Sequence, residues 1–314
     1  MRFGSHVSIA GGFPLAVERA VGEGCEAFQI FTQSPSRWQR GGIPEPAAAA
    51  FRDAWRLAGF DKPLGHASYL INLASPDPIV WGRSVDALAD EMGRAEALGL
   101  RCLVTHPGCH MGAGTDRGIV RVSQAIDRVF QMRGPGAARL ALENTAGQGS
   151  AVGSSFEELR AIIDGARSGD RVSVCLDTCH AHAAGYDLST RAGVRRMLRG
   201  FDLTIGLERL CAAHVNDSRK PAGSRTDRHA HIGEGSIGLA GFFALLHSRP
   251  LKGLPMILET PKEGGADRRN LAILRALASA SSFDEGAKAA RRAARGKGAR
   301  PRGAVPLDSP ARRR

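Results

Sequence analysis

Short apolar runs that stop abruptly at polar residues recur along the first 260 residues of the chain. They are RFGSHVSI (2–9), AFQIFT (27–32), PLGHASYL (63–70), RCLVTHPG (101–108), RLALENTAG (139–147), RVSVCLDTCH (171–180), LCAAHVND (210–217) and LPMILET (254–260). Their length and content of β-branched and aliphatic residues predict strands. Between several of them the apolar positions switch to helical spacing. PIVWGRSVDALADEMGRAEALGL (78–100) carries such a pattern, with a glycine near its end. SSFEELRAIIDGA (154–166) opens on serine with a glutamate three residues later, a capping-box arrangement. Strands alternating with helices predict parallel βαβ units. Eight of them within about 260 residues predict an α/β fold, a single closed (β/α)8 TIM barrel over residues 1–283, with no internal linker to divide it.

The strand ends carry the chemistry. His66, His106, Glu143, Asp177, His214 and Glu259 fall at or near the C-terminal ends of predicted strands three to eight. In a barrel those ends surround one opening, where active sites are built. A single histidine in such a place is more often a hydrogen-bonded structural residue than a ligand. Six acidic or imidazole residues at six successive strand ends are hard to attribute to chance. Asp227 and His229 are two apart and face the same way in an extended segment. Asp177 and His180 are three apart, a spacing that serves one ion or bridges to a neighbour. Together these nine candidates exceed one tetrahedral site and suit two or three ions with open positions for water and substrate. Imidazole and carboxylate without thiolate is the donor set of hydrolytic zinc, manganese or iron sites. Clustered divalent ions point to hydrolysis of a phosphoester.

Composition narrows the setting. The chain has 314 residues and is 43% hydrophobic, enough for a sizeable core, and its 5% aromatic content makes that core aliphatic. The first residues lack the basic and apolar regions of a signal peptide, and no run approaches a membrane span, so a soluble cytoplasmic protein is expected. Six cysteines form no CxxC pair and read as small buried hydrophobes in a reducing compartment. The net charge of +12 suits a polyanionic partner. Residues 284–314 contribute ten Lys and Arg against three acids and no core-forming periodicity. They read as a disordered basic tail, either an electrostatic tether to nucleic acid or a drifted extension.

Several stretches resemble the endonuclease IV family. GSHVSIAGG, GHASYLINLASPD, VTHPG, LALENTAGQGS, CLDTCHAHAAGYDL, HVND, SRTDRHAHIGEG and MILET occur in the family's order and spacing, over about residues 1–263. The resemblance implies a TIM-barrel apurinic/apyrimidinic endonuclease with three zinc ions. It implies that His66, His106 and Glu143 hold one ion, with Glu143 bridging to a second. Asp177, His214 and Glu259 would complete the second ion, and His180, Asp227 and His229 the more exposed third. Glu143 and Glu259 would thus be catalytic as well as metal ligands. A hydroxide held between ions would attack the phosphorus 5′ to an abasic site in duplex DNA, leaving a 3′-hydroxyl and a 5′-deoxyribose phosphate. Manganese or iron in place of zinc is compatible with the same donors.

The resemblance also implies DNA contacts. Tyr69 and Leu70 match residues that the family inserts at the lesion, although core packing would account for them from sequence alone. FTQSPSRWQR (31–40) matches a loop that enters the minor groove. The family's arginine two residues before the tryptophan is Ser36 here, and the arginine is Arg37. Lys220, Arg225 and Arg228 flank the loop ligands and suit phosphate contacts, or a solvated loop. His182, His231, His110 and His247 have no ligand counterpart, and His6 is at most an outer-shell partner. The family is typically monomeric. Two other readings compete: a metal-dependent sugar isomerase or epimerase of the xylose isomerase-like barrels, and a non-catalytic DNA-binding protein on a zinc-stabilised scaffold.

Overall fold

The computed structural model describes residues 1–295 apart from 39–40 and 135–137. In chain order its elements are β1 (Arg2–His6), α1 (Phe13–Glu23), β2 (Ala27–Phe31), α2 (Glu45–Leu57), β3 (Leu64–His66), α3 (Pro78–Ala97), β4 (Cys102–Thr105), α4 (Thr115–Arg133), β5 (Arg139–Glu143) and α5 (Phe156–Gly165). They continue with β6 (Val172–Asp177), α6 (Thr178–Ala184), α7 (Arg191–Thr204), β7 (Leu210–His214), β8 (Asp217–Ser218), β9 (His229–Ala230), α8 (Gly238–Leu246), β10 (Pro255–Leu258), α9 (Ala266–Ser279) and α10 (Phe283–Arg295). Eight parallel strands close in the order β1-β10-β7-β6-β5-β4-β3-β2, the (β/α)8 barrel expected from the alternating pattern. The short antiparallel pair β8-β9 stands apart from it.

Two apolar layers follow from the period-2 alternation of strand side chains. Leu103, Leu140, Leu142, Val174 and Leu176 pack outward with the helices in the larger core. Leu64, Cys102, Val104, Ala141, Cys175, Ala212 and Ile257 form a second, separate cluster from six different strands, which places them inside the barrel. Closure is tight at β1. A Cβ on Gly4 would lie 1.6 Å from the Ala27 carbonyl oxygen, so only glycine fits there.

Helix starts follow local chemistry. Asp77 caps α3 by accepting from the Ile79 and Val80 amides, with Pro78 in the first turn. Ser155 caps α5 by accepting from Glu158 N, and the Glu158 carboxylate returns to the amides of Gly153 and Ser154. The apolar run at 171–180 splits between two elements, because Asp177 ends β6 and caps α6 through His180 N. All six cysteines are free.

The tail requires a correction. Residues 283–295 are not disordered: they form α10, which packs on α9 through Gly286, Ala287 and Ala290. The signals were present in the sequence. Ser282 Oγ accepts from Glu285 N, the Glu285 carboxylate accepts from Ser281, and acids open the helix while arginines close it. Its buried side is glycine and alanine and only weakly apolar, but the charged residues at 284, 285, 288, 291, 292 and 295 recur at helical spacing and make the helix strongly amphipathic. Residues 296–314, the rest of the expected tail, lie outside the described residues. Among the described residues no helix is long and apolar enough to cross a membrane.

Candidate metal centre

The same alternation that fills the barrel interior positions the site. His66, His106, Glu143, Asp177, His214 and Glu259 each lie two residues beyond an interior apolar residue: Leu64, Val104, Ala141, Cys175, Ala212 and Ile257. They therefore continue the interior rows upward at the C-terminal mouth. On the remaining two strands the equivalent positions are His6 and Gln29. The other three predicted ligands come from local elements. His180 is on α6, Asp227 precedes β9, and His229 begins β9.

All nine side chains converge into three groups whose donor atoms lie within 4.8 Å of one another: His66, His106 and Glu143; Glu143, Asp177, His214 and Glu259; and His180, Asp227 and His229. Glu143 joins the first two. Its Oε2 lies 3.2 Å from His66 Nε2 and 3.2 Å from His106 Nε2, while its Oε1 lies 2.9 Å from His214 Nδ1 and 3.3 Å from His180 Nδ1. Glu259 Oε2 is 3.3 Å from His214 Nδ1. Asp227 reaches His180 Nε2 at 3.2 Å and His229 Nε2 at 3.3 Å. Asp177 Oδ2 lies 3.8 Å from His229 Nε2 and 3.9 Å from His214 Nδ1, between the second and third groups.

The donor set fits divalent ions on two counts. Donors held about 2.1 Å from one tetrahedral ion are themselves about 3.4 Å apart, close to the separations above. The histidine tautomers also fit. His66 Nδ1 donates to the Ala67 carbonyl (2.7 Å), His180 Nδ1 to the Asn144 carbonyl (2.9 Å) and His229 Nδ1 to the Glu259 carbonyl (3.0 Å). Carbonyls only accept, so in the neutral rings the opposite Nε2 lone pairs face the centre, the arrangement that outer-shell partners impose on metal-binding imidazoles. Among the described residues His229 Nε2 is buried without a hydrogen-bond partner, and it faces the third group, where it could ligate an ion. Cys179 also lies within reach of Asp177 and His229. Burial pushes its thiol up to about 12, so it does not offer a thiolate without help.

Electrostatics tie the cluster together. For Glu143, burial acts to raise the pKa, but His214, His106 and His180 outweigh it and hold the carboxyl well below its ordinary range. Glu259 behaves alike, with burial opposed mainly by His214 and the His6 hydrogen bond. On the other side, burial would lower His180 and His214. Asp177, Asp227 and Glu143 raise His180 well above the ordinary value, and Cys175, Glu143 and Glu259 do so for His214. The third group is the most open, since the Asp227 side chain is 39% exposed against 0% for Glu143.

An outer shell fixes these groups, and most of it escaped the sequence reading. Gln29 accepts from His214 Nε2 (2.9 Å) and donates to Glu259 Oε1 (2.8 Å). His6 Nδ1 lies 3.0 Å from the same oxygen, consistent with an outer-shell place. Asn216 donates to Asp177 Oδ2 (2.7 Å) and accepts from Glu259 N (2.7 Å). The signal for Gln29 was a lone polar residue inside AFQIFT. Asp217 was missed altogether as the anchor of the loop that carries Asp227 and His229. Its buried carboxylate accepts from the amides of Ser218, Gly233, Gly235, Ile237 and Gly238. Asp217→Ala is expected to cost about 2–4 kcal/mol by orphaning these donors, and to loosen the third group. Denaturant titration and metal content per chain check both.

The remaining histidines hold structure. His182 accepts from Leu188 N and pairs with Ser236 Oγ; His110 accepts from Gly114 N; His231 pairs with Asn270; His247 is exposed at the end of α8 beside the Phe243 carbonyl. Among the described residues none of the four belongs to a group that could hold an ion. Tyr69 is 65% exposed next to His66, its ring edge-on to Phe31 at 5.3 Å, and Leu70 is half-buried. Arg37 is exposed, as is Arg228, whose guanidinium donates to the Asp227 carbonyl. The Arg83 guanidinium lies over the Trp38 ring at 4.9 Å.

The xylose isomerase-like TIM barrel family, by its sequence model, matches residues 17–283. A curated protein of Nitratidesulfovibrio vulgaris strain DP4, named "Probable endonuclease 4", is 46% identical over 281 residues, covering 88% of this chain and 98% of its own. The chain belongs to the endonuclease IV family. Among solved structures, endonuclease IV from Thermus thermophilus superposes with a TM-score of 0.79 at 38% identity, over 88% of this chain and 98% of that one. A D-tagatose 3-epimerase-like protein superposes with a TM-score of 0.68 at 18% identity, over 93% and 99%. That second likeness is one of fold alone. The residues matched by the xylose isomerase-like family model cover nearly all of the barrel, and α10 beyond Phe283 lies outside that match.

Proposed function

We propose that the protein cleaves duplex DNA by hydrolysing the phosphodiester 5′ to an abasic site, leaving a 3′-hydroxyl and a 5′-deoxyribose phosphate. One observation carries this reading: nine imidazole and carboxylate side chains form three contiguous ligand groups at a barrel mouth, in a chain of the endonuclease IV family. His66, His106 and Glu143 would hold one ion, Glu143, Asp177, His214 and Glu259 a second, and His180, Asp227 and His229 a third. Zinc is the metal the donors suit, with manganese or iron also accommodated. Bound there, divalent ions would supply a water activated near neutral pH and neutralise the phosphate charge.

The chain's own residues set the conditions. Glu143 spans two groups and keeps them at a fixed separation. Glu259, oriented by Gln29 and His6, directs its second oxygen at His214. The more open third group gives the phosphate a way in. Tyr69 stands exposed on the mouth beside His66, placed to wedge into the stack with Leu70, while Arg37 and Arg228 meet the backbone. An abasic nucleotide has no base to unstack, so extruding it is cheaper than extruding an intact one. Tyr69→Ala is therefore expected to weaken abasic-duplex binding by about tenfold and undamaged-duplex binding far less, as read by fluorescence anisotropy. The protein would act as a monomer on DNA in the cytoplasm.

The sugar epimerase alternative shares the fold but has no use for an exposed aromatic on the mouth or for three ligand groups. Purified protein incubated with an abasic duplex, and separately with keto-sugars, distinguishes them. Nicking that EDTA abolishes and zinc restores supports the endonuclease; sugar turnover without nicking overturns it. A metal-stabilised DNA binder would bind the duplex and leave it intact.

A further inference from the structure

The outward face of α7 has a charge pattern that the metal centre does not require. In RAGVRRMLRGFDLT, the residues Val194, Met197, Leu198 and Phe201 are buried. Arg191, Arg195 and Arg199 recur every fourth residue on the exposed side, with Arg196 beside them. With exposed Arg249 beyond α8, these four line a groove of about 1210 Å³ in which, among the described residues, Asp202 is the one carboxylate. No ion pair or hydrogen bond among the described residues engages the five guanidinium groups, although Asp187 lies close enough to feel Arg196.

Such an arrangement is costly if it binds nothing. Like charges four residues apart destabilise a helix by a few tenths of a kcal/mol per pair. A cation at Arg191, the first residue of α7, also opposes the helix dipole. We propose that this groove is a second nucleic-acid surface, which takes the phosphate backbone of DNA outside the lesion site. Its volume exceeds the roughly 300–1,000 Å³ of small-molecule sites, so an extended ligand fits better than a single anion. Each four-residue step climbs about 6 Å along α7, close to two nucleotide rises of about 3.4 Å in one strand. Regular spacing suits a repeating polyanion rather than scattered acidic side chains. A second copy of the chain, at +12, would be repelled.

Topology sets the groove on the barrel wall away from the mouth. Leu207 and Arg249 precede β7 and β10, and Phe283 follows α9, so these residues lie toward the end opposite the metal centre. The loop before α7 follows α6, which bears His180, and α7 ends before β7 begins. The helix thus descends the barrel wall from the metal-bearing end. Phe283 lines the groove, and α10 continues from it with Lys288, Arg291, Arg292 and Arg295 all on its surface. DNA held there would add affinity and encounter rate without contacting the scissile phosphate. The choice of DNA rests on the endonuclease reading proposed above; the arginine groove itself does not.

The test is binding of the full-length, metal-loaded protein to an undamaged duplex by fluorescence anisotropy across a salt series. Replacing Arg191, Arg195 and Arg199 with Gln is expected to raise Kd at least about tenfold at low salt, and to make the slope of log K against log salt shallower by about 2–3. Lysine at the same positions should keep most of the affinity. Arg249→Glu, on the opposite wall, should act in the same direction without altering α7. Wild-type Kd and slope in both the Gln and the Glu variants would overturn the proposal. So would variants that lose polyglutamate binding while holding the duplex as before, since the occupant would then be an acidic protein. No cleavage is measured, so failure to nick abasic DNA would sink the endonuclease reading and leave this measurement standing.

Discussion

Replacing Glu143 with Gln is expected to lower abasic-duplex cleavage by at least about 10³-fold and to reduce the metal bound per chain. Gln keeps the shape of the side chain and removes the charge. Four imidazole nitrogens, from His66, His106, His180 and His214, lie within 3.3 Å of this one carboxylate, and its two oxygens face different ligand groups. Loss of the charge therefore weakens two groups at once, where the loss of an outer partner such as Gln29 or Asn216 should cost only about 10–100-fold. Single-turnover cleavage with metal analysis on the Glu143→Gln, Gln29→Ala and Asn216→Ala variants gives the ranking. If Glu143→Gln cleaves within tenfold of the parent, the shared carboxylate is not at the centre of the chemistry.

Removing the metals should make stability strongly dependent on pH. His66, His180 and His214 have folded-state pKa values above the ordinary 6.5. For each, burial opposes the shift and neighbouring carboxylates override it, helped at His214 by Cys175. Their contribution is complete below about pH 6.5 and disappears as pH rises through the raised values, at about 1.4 kcal/mol for each unit of elevation. Glu143, Glu259 and Asp227 are held below their ordinary values. Their contribution is complete above about pH 4.5 and disappears as pH falls through the lowered values. His6, pushed down by burial, works in the opposite sense to the other histidines. Metal-free protein is thus expected to be most stable between about pH 4.5 and 6.5 and to weaken steadily above that. Metals neutralise the buried carboxylates without protons, so their stabilising effect should grow as pH rises. Thermal melts of stripped and reloaded protein at pH 5.5, 7 and 8.5 check the trend. A metal effect that shrinks with rising pH would contradict it.

The barrel and the convergence of the candidate ligands at its mouth were legible because both follow from one simple period. Each strand alternates, so Ala141 inside fixes Glu143 inside, and Ala212 fixes His214. Candidate ligands outside the barrel strands were legible only through spacing or family resemblance: His180 sits on a helix that Asp177 caps, and Asp227 and His229 come back from a loop. Gln29 and Asp217 were not legible, because their importance lies in hydrogen bonds to groups distant in sequence. α10 was missed for a different reason. Its charged residues at 284, 285, 288, 291, 292 and 295 do recur at helical spacing. The side they leave for packing is glycine and alanine rather than large apolar residues, so net charge dominated the reading of the segment. The loop of residues 214–235 illustrates all three cases. Its first histidine is set by strand alternation, Asp227 and His229 by the return of the chain just before and at the start of β9, and its shape by Asp217.

The most direct test of the central claim is an end-group analysis of an abasic duplex after incubation with zinc-loaded protein. Nicks carrying a 3′-hydroxyl and a 5′-deoxyribose phosphate, formed only at the lesion and lost with EDTA, are the expected result. Intact DNA, nicks that persist after metal removal, or ends produced on the 3′ side of the lesion would contradict it.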